Sequence, residues 1–275
     1  MLELAAGQTE KHILFDTNSA SEPILHNLKI FGKSLNRVTT IFLSHCHYDH
    51  TDGLPGILDS VQRPIPVVAH PEIFRPCFEI NSDGIRHIGI VRPGRAELEK
   101  KGAVFTLSRV PVPLMTGAVT TGEIERKTPF EGLEDLYTIS EGTILQDHER
   151  DDSALVLNLE AGLVIVTGCC HAGIVNTMSH AKRVTGVDKI HAVIGGLHLI
   201  GASEEKVQRS VEALREAEFV FAGHCMGFDG LRRIASALGD RFRPIHTGSE
   251  IRLPVVDPSE PVCTIPTLLR DLHRF

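Results

Sequence analysis

The stretch Leu43–Gly53, "LSHCHYDHTDG", sets three histidines and two aspartates within eleven residues. It follows a β-branched run, "VTTIF" (38–42), that reads as a strand. In an extended loop, residues two apart point the same way, so His45 and His47 share one face and Cys46 turns from it. Asp49 and His50 lie just beyond and face a second point. Imidazole and carboxylate groups suit zinc and similar divalent ions at about 2.0–2.2 Å. An H-x-H-x-D-H run at a strand end, followed by "TDGL" (51–54) and a helix, therefore predicts a metal site rather than a hydrogen-bonded polar loop.

The rest of the composition narrows the setting. The chain has 275 residues, 42% apolar and 23% charged, as in an ordinary globular protein. A net charge of −7 without a Lys/Arg block argues against nucleic acid or an anionic membrane as partner. The opening "MLELAAGQTEKH" lacks the basic and apolar regions of a signal peptide, and apolar runs such as "GLVIVTGCC" are of strand length. Six cysteines without a C-x-x-C pair read as reduced thiols, and a cytoplasmic location is expected.

Apolar, β-branched runs at 12–16, 39–44, 65–70, 103–107, 154–159, 163–168, 191–196 and 219–223 read as strands. Helical patterns lie between them. "SEEKVQRSVEALREAE" (203–218) carries Ser203 as N-cap and Val207, Val211 and Leu214 on one face. The patterns at 173–186 and 229–239 each end in a stopping glycine, Gly186 and Gly239. Residues 108–150 hold prolines, glycines and charges with little periodicity, and read as a loop-rich insert or lid. One unit recurs: a strand, a histidine-bearing loop, then a helix, in "TTIFLSHCHYDHTDG" and in "LVIVTGCCHAGIVN".

These motifs resemble the metallo-β-lactamase superfamily. "HCHYDH" (45–50) resembles its signature, "ILFDT" (13–17) its first motif, "GCCHAGI" (168–174) its third and "AGHCMG" (222–227) its last. Together with "VVAHPEIF", "TGEIER", "AVIGGLHL" and "HTGSEI", they are similar to a subgroup of 7,8-dihydropterin-6-methyl-4-(β-D-ribofuranosyl)aminobenzene-5′-phosphate synthases, from about residue 10 to residue 251. The resemblance implies an α/β chain with a four-layer αβ/βα sandwich, two mixed sheets flanked by helices. It implies a single domain over 1–254 and a C-terminal tail over 255–275. It also implies two divalent ions, zinc foremost, with manganese or iron as alternatives. His45, His47 and His171 would hold one ion; Asp49, His50 and His224 the other. Asp49 would also orient the nucleophile, and Asp16 would brace the metal loop.

The chain departs from that pattern. Many superfamily members carry a bridging aspartate after the strand that follows the third motif. Here "HAVIGGLHLIGA" has none, and His198 stands there as a candidate ligand or pocket residue. The first motif comes so early that the chain is expected to lack one N-terminal edge strand or to begin late. Cys46, Cys169, Cys170 and Cys225 sit within the motifs and read as buried structural thiols rather than ligands. His70 is either a substrate contact or the cap of the turn before Pro71. Glu123 and Arg126 are candidate substrate contacts, Arg126 through its fork geometry. His246 is an alternative to His224, although "GHCMG" fits a ligand turn better.

The functional expectation is a dinuclear hydrolase acting on a small, phosphate-containing anion through a metal-bound hydroxide. One alternative is the subgroup's transferase reaction, condensing a dihydropterin pyrophosphate with an arylamine. Another is a non-catalytic metal-binding scaffold. A nuclease is disfavoured by the acidic charge. A small-molecule substrate is the expected partner, beside a possible homo-oligomer.

Overall fold

Strands and helices alternate along the chain as the apolar runs require. A computed structural model describes residues 1–90 and 93–253. The tail expected over 255–275 lies outside the described residues. In chain order the strands begin with β1 (Leu2–Ala6), β2 (Thr9–Phe15), β3 (Thr40–Phe42), β4 (Ile65–Ala69), β5 (Phe78–Asn81), β6 (Gly84–His87) and β7 (Ala103–Leu107). They continue with β8 (Pro113–Met115), β9 (Ala118–Thr120), β10 (Leu136–Ser140), β11 (Thr143–Gln146) and β12 (Leu155–Leu159). The last four are β13 (Gly162–Val166), β14 (Ile190–Gly195), β15 (Ala217–Ala222) and β16 (Phe242–Pro244). The α-helices are α1 (Ser21–Ile30), α2 (Tyr48–Thr51), α3 (Leu54–Val61), α4 (Arg95–Lys100), α5 (Ile174–Thr185), α6 (Glu204–Leu214) and α7 (Gly227–Leu238).

Within the span expected as one domain, contacts divide into two compact units. The first comprises Met1–Leu4, Glu10–Arg109 and Gly132–Ser153; the second comprises Ala5–Thr9, Val110–Glu131 and the chain from Ala154 onward.

The first unit is built on a sheet in the order β1-β2-β3-β4-β7, in which β2, β3, β4 and β7 run parallel. Parallel neighbours need crossovers, and α1, α3 and α4 lie in them. Ile41, Val67, Ile57, Leu58 and Leu98 are fully or almost fully buried in its core. Parallel strands covered by helices bury both faces, which is why these runs read as continuously apolar. The N-terminal strand expected to be missing is present: β1 forms the sheet's edge. A second, antiparallel sheet, β11-β10-β5-β6, is a feature the sequence did not suggest.

The second unit carries a seven-stranded mixed sheet in the order β16-β15-β14-β13-β12-β9-β8. β13 to β16 are parallel, while β12, β9 and β8 extend the sheet antiparallel. α5, α6 and α7 each form one crossover between parallel neighbours. Ser203 caps α6 as expected, its Oγ accepting from the Lys206 amide at 3.1 Å. The helix ends at Leu214 rather than Glu218, because Ala217 already opens β15. α5 stops at Gly186 in the left-handed region (φ 71°). The stretch 108–150, read as loop-rich, holds β8, β9, β10 and β11.

Candidate metal centre

In the first unit the histidine loop leaves the C-terminal end of β3, and Asp16 follows the end of β2. The Asp16 carboxylate makes three bonds. Oδ1 accepts from the Ser44 amide at 2.8 Å; Oδ2 accepts from Ser44 Oγ and from His50 Nδ1, each at 2.7 Å. With its hydroxyl hydrogen directed to Asp16, Ser44 Oγ accepts from His45 Nδ1 at 2.9 Å. Both rings are thereby set in the tautomer whose Nε2 lone pair is available to a metal. His47 is oriented through its other nitrogen, since its Nε2 lies 3.6 Å from Cys77 Sγ. The His45 ring sits 4.6 Å from His47 and 4.2 Å from His50, centroid to centroid. Asp49 reaches within 3.5 Å of His50 Nε2.

Residues far along the chain complete this loop. Asp151 Oδ2 accepts from the Cys46 amide at 2.7 Å. Arg75 Nη1 forms an ion pair with Asp151 Oδ1 at 2.6 Å, and Arg75 Nε donates to Asp147 Oδ2 at 2.8 Å. Asp151 is fully buried, so Arg75 offsets a charge that burial would otherwise penalise. Burial also lowers the exposure of Cys46, whose thiol is pushed up, first by a hydrogen bond with Cys77 and then by desolvation. Gly53 lets the loop close, because a Cβ there would meet Thr17 O at 1.9 Å. His70 caps its turn: Nδ1 accepts from the Glu72 amide at 3.1 Å.

In the second unit, three neighbouring parallel strands deliver the other motif residues. Cys169–His171 follow β13, His198 follows β14, and His224–Cys225 follow β15. His171 and His198 rings lie 4.3 Å apart. The ligand atoms of Cys169, His171 and His198 are within 4.8 Å of one another, as are those of Cys169, His224 and Cys225. The Cys225 thiol is pulled down to about 4, chiefly by a hydrogen bond from Cys169 and further by His198. His246 is held elsewhere, its Nδ1 bonded to Thr247 O at 3.0 Å.

The proline-rich stretch braces this loop. Arg126 Nη1 donates to His171 O at 2.7 Å. Glu131, almost fully buried, caps α5 by accepting from the Val175 and Asn176 amides at 2.8 and 2.9 Å. Gly173 accommodates it, since a Cβ there would meet Glu131 Cδ at 2.2 Å. Glu123 is half-buried in the same stretch. The sequence reading missed Arg75, Cys77, Glu131, Asp147 and Asp151. Their partners are distant in sequence, and no local pattern marks them. The donor set in both units, imidazole with carboxylate or thiol, suits a transition-metal ion such as zinc.

Residues 11–128 match the β-lactamase superfamily domain. Over 261 residues the chain is 35% identical to a 7,8-dihydropterin-6-methyl-4-(β-D-ribofuranosyl)-aminobenzene-5′-phosphate synthase of Methanocaldococcus jannaschii, covering 92% of this chain and 88% of that one. The chain belongs to the metallo-β-lactamase superfamily, in the subgroup that resembles this synthase. An uncharacterised protein of the same organism is 30% identical over 226 residues, covering 82% and 83% of the two chains. Among solved structures, a metal-dependent hydrolase of the β-lactamase superfamily shares the fold at a TM-score of 0.74 and 23% identity, covering 90% and 91%. Among the described residues no helix is long and apolar enough to cross a membrane.

Proposed function

We propose that the chain is a metal-dependent enzyme acting on a small, phosphate-bearing substrate. In this reading His45, His47 and His171 hold one divalent ion, and Asp49, His50 and His224 hold a second. The observation that carries it is the arrangement around Asp16, which sets His50 directly, and His45 through Ser44, in the metal-binding tautomer. When bound, divalent ions supply Lewis acidity toward phosphoryl oxygens and lower the pKa of water. The chain's own residues then hold the ligands in place and, through Asp49, orient the attacking group.

With water as that group the reaction is hydrolysis. With an arylamine displacing pyrophosphate from a dihydropterin it is the synthase reaction. The near full-length, 35% identity to a protein bearing that synthase name favours the second reading. One experiment separates them. Zinc- or manganese-loaded protein is assayed against phosphomonoesters, phosphodiesters and lactones, and separately against a dihydropterin pyrophosphate with an arylamine. Pyrophosphate release that requires the amine supports the synthase; turnover of an ester in water supports the hydrolase. Protein purified without chelator and carrying no metal would sink both. Asp49→Ala is expected to lower kcat by at least about 100-fold without loss of fold, within the range a positioned acid–base group supplies.

A further inference from the structure

We propose that Cys169 is a metal ligand, so that the second unit offers the metal a thiolate together with His171 and His198. This rests on the metal-dependent reading above. Its support is the geometry at the ends of β13, β14 and β15. Cys169 belongs to both of the tight groups formed there, one with His171 and His198, the other with His224 and Cys225, and within each the ligand atoms lie no more than 4.8 Å apart. Tetrahedral bonds of about 2.0–2.3 Å place ligand atoms roughly 3.3–3.8 Å from one another. A small contraction of the side chains therefore suffices for coordination.

The backbone sorts the two adjacent cysteines. Cys170 takes a left-handed conformation (φ 66°) between Cys169 and His171. Its own Sγ lies 3.4 Å from Thr177 Oγ1, on helix α5. Cys169 is left on the ligand side with His171, two residues on. The loops after the other two strands are turned in the same way, with His198 at φ 42° and His224 at φ 59°. Non-glycine residues stay in that region only where their surroundings over-determine it. Gly196 allows the loops to meet: a Cβ there would fall 2.5 Å from Gly168 O and 2.8 Å from Cys225 Sγ. Cys225 is placed differently, its Sγ lying 3.5 Å from the Cys169 backbone oxygen.

The chemistry gives the thiolate a purpose. His171 and His198 are neutral when they coordinate and bring no charge to offset a divalent ion. On coordination the Cys169 S–H gives its proton to solvent, and the sulfur brings one negative charge. A sulfur ligand favours zinc or cobalt over manganese or magnesium.

The test is a titration of cobalt(II) into the metal-depleted, full-length protein, read by the near-ultraviolet thiolate-to-cobalt charge-transfer band. The band is expected in the unaltered protein and in Cys170→Ser and Cys225→Ser, and is expected to vanish in Cys169→Ser. Cobalt affinity in Cys169→Ser should fall by more than about 100-fold, beyond what loss of a supporting contact costs. Cobalt bound without the band, or a band that survives Cys169→Ser, overturns the assignment and leaves the metal-dependent reading standing. No cobalt bound at all overturns both. Should Cys169→Ser fail to fold by circular dichroism, X-ray absorption on the zinc-loaded, unaltered protein decides. A sulfur scatterer at about 2.3 Å supports the assignment, and a shell of nitrogen and oxygen alone overturns it.

Discussion

Asp16 holds two histidines with one carboxylate. Its Oδ2 receives His50 directly and His45 by way of Ser44. Asp16→Asn keeps the shape but loses the charge and one acceptor, so metal affinity should fall about 10- to 100-fold. Competition with a chromophoric chelator measures that, and unchanged affinity would remove Asp16 from the site. His180 makes a second residue-scale case. Its Nε2–H donates to Thr121 O at 3.0 Å, and its Nδ1 accepts from Arg183 at 2.7 Å. Burial, the largest cause, lowers its pKa below the ordinary 6.5, and the nearby Arg183 charge adds to this. The folded state thus binds fewer protons here than the unfolded state. The contribution is whole above pH 6.5 and is lost as pH falls below it. A thermal midpoint that falls between pH 7 and pH 5.5 in the native chain, and falls less in His180→Gln, is the expected result. His45, His47, Asp49 and His50 could be read from the sequence because they are neighbours in it. Asp151 could not, since it reaches Cys46 across 105 positions.

Among the strands that the sequence revealed are some buried along their whole length. β13, whose residues are all buried, is one. β11 is exposed along its whole length and left no alternating pattern to read. Its neighbour β10 is exposed at its last two residues, so this part of 108–150 read as irregular. What ties elements together is likewise hard to see in sequence. Arg75, just after a short helical turn, faces Asp147 and Asp151. Arg75→Ala strands two buried carboxylates, and a cost of about 3–5 kcal/mol is expected. Urea denaturation reads it directly; a loss under 1 kcal/mol would mean that water replaces the guanidinium. Gly196→Ala should be worse for metal binding than for folding, because the clash falls on Gly168 and Cys225 at the strand ends. Circular dichroism with metal quantification on the same sample distinguishes the two effects.

For the molecule as a whole, metal and folding should be linked. An ion that binds only the folded state adds RT ln(1 + [M]/Kd), about 4 kcal/mol at a thousandfold excess over Kd. A chelator should therefore lower the thermal midpoint, and zinc should restore it; no change in either direction would argue that the site contributes nothing to stability. The division of the chain also governs how it can be cut. A fragment ending at Arg109 would keep His45, His47 and His50 yet lose Asp147 and Asp151, which belong to the same unit but are encoded after residue 131. Gene truncation at that point would sever the loop from its own supports. A shorter design must instead splice 10–109 to 132–153, skipping the intervening segment, if it is to keep Asp147 and Asp151 with Arg75 and the Cys46 amide.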